Sequence, residues 1–188
     1  MSTNDHRAAS HPPFWDERYA ANEHLFGAAP NAFVVSAADQ ISRGSEVLEL
    51  GAGEGRTLLG LARERGVTGT AVDFSGEALR TGRDWAEREG LPLQTEQADV
   101  RTWTPSRRWD AVVVTVLQLL PDERPALYET IRQALRPGGY CWPSGFGRRT
   151  YRATTTGWGR ARPTGWCPSR RSAWRLRTTS FCGARPWT

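Results

Sequence analysis

The chain has 188 residues, three cysteines and a formal net charge of +5. This length suits one domain and is enough to bury a hydrophobic core. No run of about eighteen apolar residues is present, so no membrane span is predicted. The polar start of the chain lacks the apolar segment of a secretory signal, and we expect a cytoplasmic protein. The cysteines match no zinc pattern and cannot all pair within one chain, so no metal site is expected.

The charge is divided unevenly along the chain. Residues 141–188 contain ten arginines and no aspartate or glutamate, so this segment alone exceeds the whole net charge. Residues 1–140 are therefore acidic, and the two parts have to be interpreted separately. We expect a disordered N-terminus at 1–12, a folded domain at 13–140 and an atypical basic tail at 141–188.

Two helices are predicted before the first strand. Pro13 can begin a short helix, which carries three large aromatic side chains that need a surface to cover: Phe14, Trp15 and Tyr19. Asn31 can open a second helix, whose apolar residues recur at helical spacing until the stop at Arg43-Gly44.

From residue 46 onward, short apolar strands alternate with longer helices. The predicted strands are 46–50, 69–73, 93–97 and 109–115, and the predicted helices are 56–65, 75–89 and 122–135, the last capped by Asp122. This alternation predicts an α/β fold with a doubly wound, mostly parallel sheet. A fifth strand should follow Gly139, but the tail has no valine, isoleucine or methionine. The sheet is therefore expected to lack its last strands.

A glycine loop separates the first predicted strand from the helix that follows it. Its glycines, Gly51, Gly53 and Gly55, can adopt positive φ and let the backbone approach a ligand closely. In an open α/β sheet, ligands bind at this turn. Glu49 and Glu54 flank the glycines, so a pyrophosphate would meet negative charge where it needs N–H donors. A cationic ligand such as S-adenosylmethionine, with its sulfonium and ammonium groups, suits this loop better than a dinucleotide.

Two further carboxylates follow the next predicted strands. Asp73 ends the second strand, about 20 residues after the first glycine, where a carboxylate accepts hydrogen bonds from ribose hydroxyls. Asp99 follows the third strand, where an adenine amino group could donate to it. Asp99 alone could equally be a loop residue. Together, the ordered carboxylates make a bare tight turn a poor explanation of the glycine loop.

These motifs resemble those of class I methyltransferases, which use S-adenosylmethionine. Residues 47–55 are similar to the family's first motif, 71–75 to its acidic motif, 98–100 to its adenine-contacting segment, and 109–113 and 135–139 to its later landmarks. The opening Phe14-Trp15-Asp16-Glu17-Arg18-Tyr19 is similar to small methyltransferases of the tellurite-resistance and thiopurine methyltransferase type. The resemblance covers about residues 13–140.

The resemblance implies a Rossmann-like methyltransferase fold and a role for each motif. Glu49 and the glycines would hold the methionine part of the cofactor, Asp73 its ribose and Asp99 its adenine, while the N-terminal helix would close over it. Trp15 and Tyr19 of that helix are also consistent with core packing. The full predicted cofactor site comprises Glu49, Gly51, Ala52, Gly53, Gly55, Asp73, Phe74, Ser75, Asp99, Val100, Thr115, Trp15 and Tyr19.

The reaction implied is in-line transfer of a methyl group from a sulfonium to a nucleophile on a small molecule. Such an enzyme works largely by positioning its reactants and excluding water. The sequence offers no convincing general base, because all three histidines (His6, His11 and His24) precede the core. Two alternatives remain open: a nucleic-acid-directed methyltransferase that uses the basic tail, and an inactive cofactor-binding relic.

The tail also raises the question of its reading frame. Residues 140–143, Tyr-Cys-Trp-Pro, must be encoded TAY-TGY-TGG-CCN. Read two bases later, every synonymous choice gives Leu-Leu-Ala, which is the apolar sequence that a fifth strand needs. We hypothesise that the chain is out of frame from about Gly139 or Tyr140.

Overall fold

The structure, a computed structural model, describes residues 11–117, 119–143, 151–154 and 157–160. The predicted disordered segment at 1–12 lies almost entirely outside the described residues, as does most of the basic tail. Within the described ranges, no helix is both long enough and apolar enough to cross a membrane.

The described chain forms five α-helices and seven β-strands. The helices are α1 (Pro12–Ala21), α2 (Ala32–Ser36), α3 (Arg56–Arg65), α4 (Gly76–Glu89) and α5 (Arg124–Ala134). The strands are β1 (Glu46–Leu50), β2 (Thr68–Asp73), β3 (Leu93–Gln97), β4 (Trp109–Val114), β5 (Leu135–Pro143), β6 (Tyr151–Thr154) and β7 (Gly157–Arg160). The bounds of β1, α3 and β3 agree residue by residue with those predicted from sequence.

The strands form one sheet in the order β3-β2-β1-β4-β5-β6-β7. β1 to β5 are parallel, whereas β6 and β7 run antiparallel to their neighbours. β1 lies between β2 and β4, with Glu49 opposite both Ala71 and Val113. The strand order reverses beside β1, and this switch point is where open α/β sheets bind ligands. The predicted doubly wound, mostly parallel sheet is confirmed.

The hydrophobic core covers both faces of the sheet. On one face, α2, α3 and α4 pack against the strands, and Leu58 and Leu79 are buried there. On the other face, α5 contributes the buried Leu127 and Ile131. Because β1 and β4 are covered on both sides, their sequences are nearly continuous apolar runs.

The second predicted helix is interrupted. Asn31 caps α2 as expected, because its side chain accepts hydrogen bonds from the N–H groups of Phe33 and Val34 at 3.0 and 3.4 Å. Ala37 then leaves the helical conformation, with φ −107° and ψ 1°. Its N–H bonds to the carbonyl of Val34, three residues back, which tightens the chain into the 3₁₀ turn Ala38–Gln40. The prediction of one continuous helix is wrong.

The start of α5 also differs from the prediction. Asp122 is exposed in the preceding turn, and the residue at the cap position is Glu123, whose side chain makes no capping bond to α5. Glu123 instead accepts a hydrogen bond from the N–H of Leu120 at 2.8 Å. Pro125 lies in the first turn, where a missing N–H has no cost. The prediction that Asp122 caps this helix is wrong.

The sheet does not lack its last strands, contrary to the prediction. Leu135 lies opposite Trp109, the register then shifts, and Tyr140 to Pro143 continue as a parallel partner of β4. Cys141 and Trp142 are buried on opposite faces, so they supply the apolar contacts that aliphatic residues were expected to make. β5 therefore extends three residues past the predicted domain boundary, and β6 and β7 extend the sheet further.

Candidate cofactor site

A cleft of about 890 Å³, part of it open to solvent, lies at the carboxyl ends of β1, β2 and β4. Ten of the thirteen predicted site residues line it: Trp15, Tyr19, Glu49, Gly51, Ala52, Asp73, Phe74, Asp99, Val100 and Thr115. The other three, Gly53, Gly55 and Ser75, are buried and do not line the cleft.

The glycine loop joins β1 to α3 in a backbone conformation that favours glycine. Gly51, Gly53 and Gly55 have φ of +68°, +55° and +71°, in the left-handed region. Space is also limited, since a β-carbon on Gly51 would lie 2.8 Å from Leu117 Cδ1 and one on Gly53 would overlap the Tyr19 hydroxyl. The loop therefore lies directly beneath α1 and the segment that follows β4.

Glu49 places a buried carboxylate at the floor of the cleft. It is 1% exposed, and its Oε1 accepts a hydrogen bond from the Thr115 hydroxyl at 2.7 Å. Its Oε2 has no hydrogen-bond partner among the described residues. Burial raises the pKa of Glu49 to about 7, although the Thr115 hydrogen bond, the Arg56 charge and the nearby Thr57 hydroxyl oppose the shift. A buried carboxylate that lines a cleft and has one oxygen without a hydrogen bond is suited to an ammonium group.

Asp73 is held in place by the loop and by the start of α4. Its Oδ2 accepts from the N–H of Gly53 at 2.8 Å, and its Oδ1 accepts from the N–H of Ser75 at 2.9 Å. Burial raises the pKa of Asp73, while these backbone hydrogen bonds oppose the rise. A carboxylate has about four acceptor positions. Asp73 can therefore still accept hydrogen bonds from a diol in the cleft.

Asp99 lies at the cleft but is paired with a cation that the sequence analysis did not identify. Arg101 donates its Nε to both carboxylate oxygens, at 2.8 and 2.9 Å, and its Nη2 to Oδ2 at 2.5 Å. These hydrogen bonds hold the pKa of Asp99 below its usual value. Arg101 also lies 3.4 Å from Glu123. The acceptor role of Asp99 towards adenine stays a prediction. In that role, the Asp99 carboxylate would accept from adenine while it also accepts from Arg101.

Aromatic side chains from the N-terminal segment cover one side of the cleft. The rings of Trp15 and Phe26 lie 6.1 Å apart, and those of Tyr19 and Phe26 lie 6.4 Å apart. Tyr19 is buried, and this burial together with nearby carboxylates, Asp73 first among them, raises the pKa of its hydroxyl. The hydroxyl therefore remains neutral and packs over the glycine loop.

Eight lining residues were not predicted from the sequence: Phe26, Arg56, Thr57, Arg101, Val116, Leu117, Leu119 and Glu123. Arg56 follows the last loop glycine and Arg101 follows Asp99 by two positions, so both could have been found from their spacing to the motifs. Phe26 and Leu117 reach the cleft only through the packing of distant segments, and no local pattern indicates this.

Residues 47–139 match the family model described as a methyltransferase domain. These residues are a class I methyltransferase domain. The resemblance found in the glycine loop and the ordered carboxylates is therefore confirmed at the level of the family.

Known proteins similar to this methyltransferase domain include YjhP of Escherichia coli, which is uncharacterized. YjhP is 26% identical over 141 residues, covering 74% of this chain and 51% of its own length. The solved structure of YjhP, aligned at 20% identity, has a TM-score of 0.57 and covers 67% of this chain and 53% of that one. The chain spans about half the length of the curated relatives it matches.

Two further solved structures have the same fold. TehB from Haemophilus influenzae is 28% identical, with a TM-score of 0.55 over 59% of this chain and 39% of that one. A methyltransferase from Geobacter sulfurreducens, solved with S-adenosylhomocysteine, is 20% identical, with a TM-score of 0.53 over 66% of this chain and 51% of that one. The Rossmann-like methyltransferase fold is thus confirmed, and the role of each site residue stays a prediction.

Proposed function

We propose that the chain transfers a methyl group from S-adenosylmethionine to a small-molecule acceptor. The observation that supports this most strongly is the unpaired Oε2 of Glu49, a buried carboxylate oxygen at a cleft in a methyltransferase domain. An ammonium group suits that position, because a buried charge needs a partner.

The lining fits the two ends of the cofactor. Glu49 would bind the ammonium of the methionine part. Arg56, which donates to the Ala29 carbonyl, would bind its carboxylate, because Arg101 already pairs with the carboxylates of Asp99 and Glu123. Asp73 would accept from the ribose hydroxyls. When bound, S-adenosylmethionine supplies an electrophilic methyl group, and the chain orients it and excludes water.

The acceptor side of the cleft is apolar. Phe26 and Val116 are 43% and 50% exposed at its rim, and Leu117 and Leu119 line it. Val116 has φ +58°, a conformation that a β-branched residue rarely adopts and that often accompanies function. No described lining residue is a histidine, lysine or cysteine. These features favour a small apolar acceptor that carries its own nucleophile.

Methyl transfer can be tested with S-adenosylmethionine carrying a labelled methyl group. We expect the full chain to label members of a panel of small apolar thiols and amines, and Glu49→Gln to label none. Duplex DNA and RNA serve as competing acceptors, because the first alternative function requires them. Label in nucleic acid and none in the small molecules would contradict the proposal.

The remaining alternative, an inactive relic, predicts cofactor binding without transfer to any acceptor. Neither alternative is favoured by a feature of the described residues. Both depend on the tail, of which the structure describes only the end of β5 and the short strands β6 and β7.

A further inference from the structure

A carboxylate ties the helix that covers the cleft to the start of α4. Asp16 of α1 accepts a hydrogen bond from the Ser75 hydroxyl at 2.6 Å and another from the N–H of Glu77 at 3.3 Å. Both donors lie at the start of α4, where free N–H groups and the helix dipole favour a negative charge. Arg18 and Asn22, by contrast, hydrogen bond to carbonyls within or beside α1 itself.

Ser75 connects this carboxylate to the floor of the cleft. It is fully buried, and its hydroxyl accepts from the N–H of Ala78 at 3.2 Å while it donates to Asp16. Its backbone N–H donates to Asp73, which in turn accepts from the N–H of Gly53. Continuous hydrogen bonds therefore run from α1 through the start of α4 to the glycine loop.

The position of Asp16 within α1 determines what it holds in place. Trp15 precedes it and lines the cleft, and Tyr19 lies one turn later with its hydroxyl over Gly53. A helix fixed at Asp16 therefore presents both aromatic side chains to the cleft. Without that tie, the remaining contacts of this segment include its aromatic packing and the hydrogen bond from the His24 N–H to Glu54 just after α1.

We propose that Asp16 is a positioning residue that latches α1 over the cleft, so that Trp15 and Tyr19 enclose the bound cofactor. This inference rests on the proposed function, because the enclosed ligand is S-adenosylmethionine or its product. Asp16 acts through α1 and Ser75 and does not itself line the cleft.

Three variants separate the hydrogen bonds from the charge. Asp16→Ala removes the acceptor of both hydrogen bonds, and we expect it to weaken S-adenosylhomocysteine binding at least about tenfold, because a hydrogen bond to a charged group contributes about that much. Asp16→Asn keeps an acceptor oxygen and should bind within about threefold of the wild type. Ser75→Ala removes the hydroxyl donor and also the cap on Ala78. The double variant with Asp16→Ala should lose less affinity than the two single losses combined, because both changes remove the same Ser75–Asp16 hydrogen bond.

Asp110→Ala is the matched control. Asp110 also accepts from a backbone N–H, that of Glu46 at 2.9 Å, and pairs with Arg136, but it lies at the opposite end of the strands. Its loss should lower the melting temperature and leave the affinity for S-adenosylhomocysteine unchanged. A loss of affinity in this control would mean that general destabilisation explains the effect of Asp16→Ala, and would overturn the latch.

The experiment is calorimetric titration of full-length variants with S-adenosylhomocysteine, together with hydrogen exchange of the α1 amides in the ligand-free protein. Faster exchange confined to α1 in Asp16→Ala, with weakened binding that Asp16→Asn restores, supports the latch. Unchanged exchange and unchanged affinity in Asp16→Ala overturn it. If the wild type does not bind S-adenosylhomocysteine, the proposed function is wrong, and α1 does not enclose that ligand. The exchange data then show separately whether Asp16 holds α1.

Discussion

Glu49 and Asp73 are both buried, but their oxygen atoms are satisfied to different degrees. Both oxygens of Asp73 accept backbone hydrogen bonds, whereas Glu49 keeps one oxygen unpaired among the described residues. Motif spacing alone could locate both carboxylates, because each ends a strand at the same edge of the sheet. It could not show this difference or the pairing of Asp99 with Arg101, which depend on side-chain geometry.

Binding of the cofactor should release a proton near neutral pH. Burial raises the pKa of Glu49 to about 7 in the free protein, so part of the population is protonated at pH 6.5, and an ammonium ligand requires the ionised form. Titrations with S-adenosylhomocysteine at pH 6.5, in buffers of different ionisation enthalpy, should show proton release that is absent at pH 8.5. No proton release at pH 6.5 would contradict the role of Glu49.

The same shift sets the sign of a stability effect in the free protein. Because the folded-state pKa of Glu49 lies above its ordinary value of 4.5, the folded state binds more protons between pH 4.5 and about 7. The contribution of Glu49 to the free energy of unfolding therefore falls as pH rises through this window. Denaturant unfolding of Glu49→Gln should lack this component, and an unchanged pH profile would contradict the shift.

Gly53→Ala should impair the site through Tyr19. A β-carbon at Gly53 overlaps the Tyr19 hydroxyl, so the ring must move off the loop, and positive φ adds strain. We expect S-adenosylhomocysteine to bind at least about tenfold more weakly. Gly44→Ala is the control, since Gly44 has φ +75° and no atom within 4 Å of an added β-carbon. Equal losses of affinity in the two variants would mean that backbone strain alone explains the effect, and would contradict the role of Tyr19.

At the scale of elements, the sequence predicted the helices and strands whose first and last residues are determined by local signals. The α4 helix begins at its Ser75 cap and ends at Gly90, which has φ +64°. The prediction failed where tertiary contacts compete with local pattern. The helix after Asn31 breaks at Ala37, and a register shift in the pairing with β4 lets β5 include both Leu135 and residues 140–143.

The caps of two helices give a direct test of these assignments. Asn31→Ala should lower the free energy of unfolding by about 1 kcal/mol, because its side chain accepts from two N–H groups of α2. Asp122→Ala should change it by less than about 0.5 kcal/mol, because Asp122 is exposed and does not cap α5. Denaturant titration measures both changes. A loss of about 1 kcal/mol in the free energy of unfolding of Asp122→Ala would support Asp122 as the cap of α5, as predicted from sequence.

At the scale of the whole molecule, the segment after Tyr140 contains two residues that suit a buried parallel strand poorly. Trp142 is fully buried, yet its indole nitrogen has no hydrogen-bond partner among the described residues. Pro143 pairs with Val114 in a parallel strand although proline has no N–H to donate. The division of the chain into a folded domain at 13–140 and a tail at 141–188 stays a prediction. Trp142 and Pro143 lie in β5, which crosses that boundary, and neither has all the hydrogen bonds expected of a residue in a buried strand.

Sequencing the gene across the codons for residues 139–143 tests the reading-frame hypothesis. We expect an inserted or deleted base near Gly139 relative to a frame that encodes Leu-Leu-Ala opposite β4. Related genes that keep Cys-Trp-Pro at this position in an uninterrupted frame would contradict it.

The central claim, that the glycine loop and Glu49 bind an adenosyl ligand with an ammonium group, is tested most directly by thermal unfolding of the full chain. Ligand that binds the native state at about 100 times its dissociation constant adds about 2.7 kcal/mol, which corresponds to a rise of roughly 5 °C or more in melting temperature. We predict this rise with S-adenosylhomocysteine and none with NAD at the same concentration. No rise with millimolar S-adenosylhomocysteine, or an equal rise with NAD, would contradict the claim.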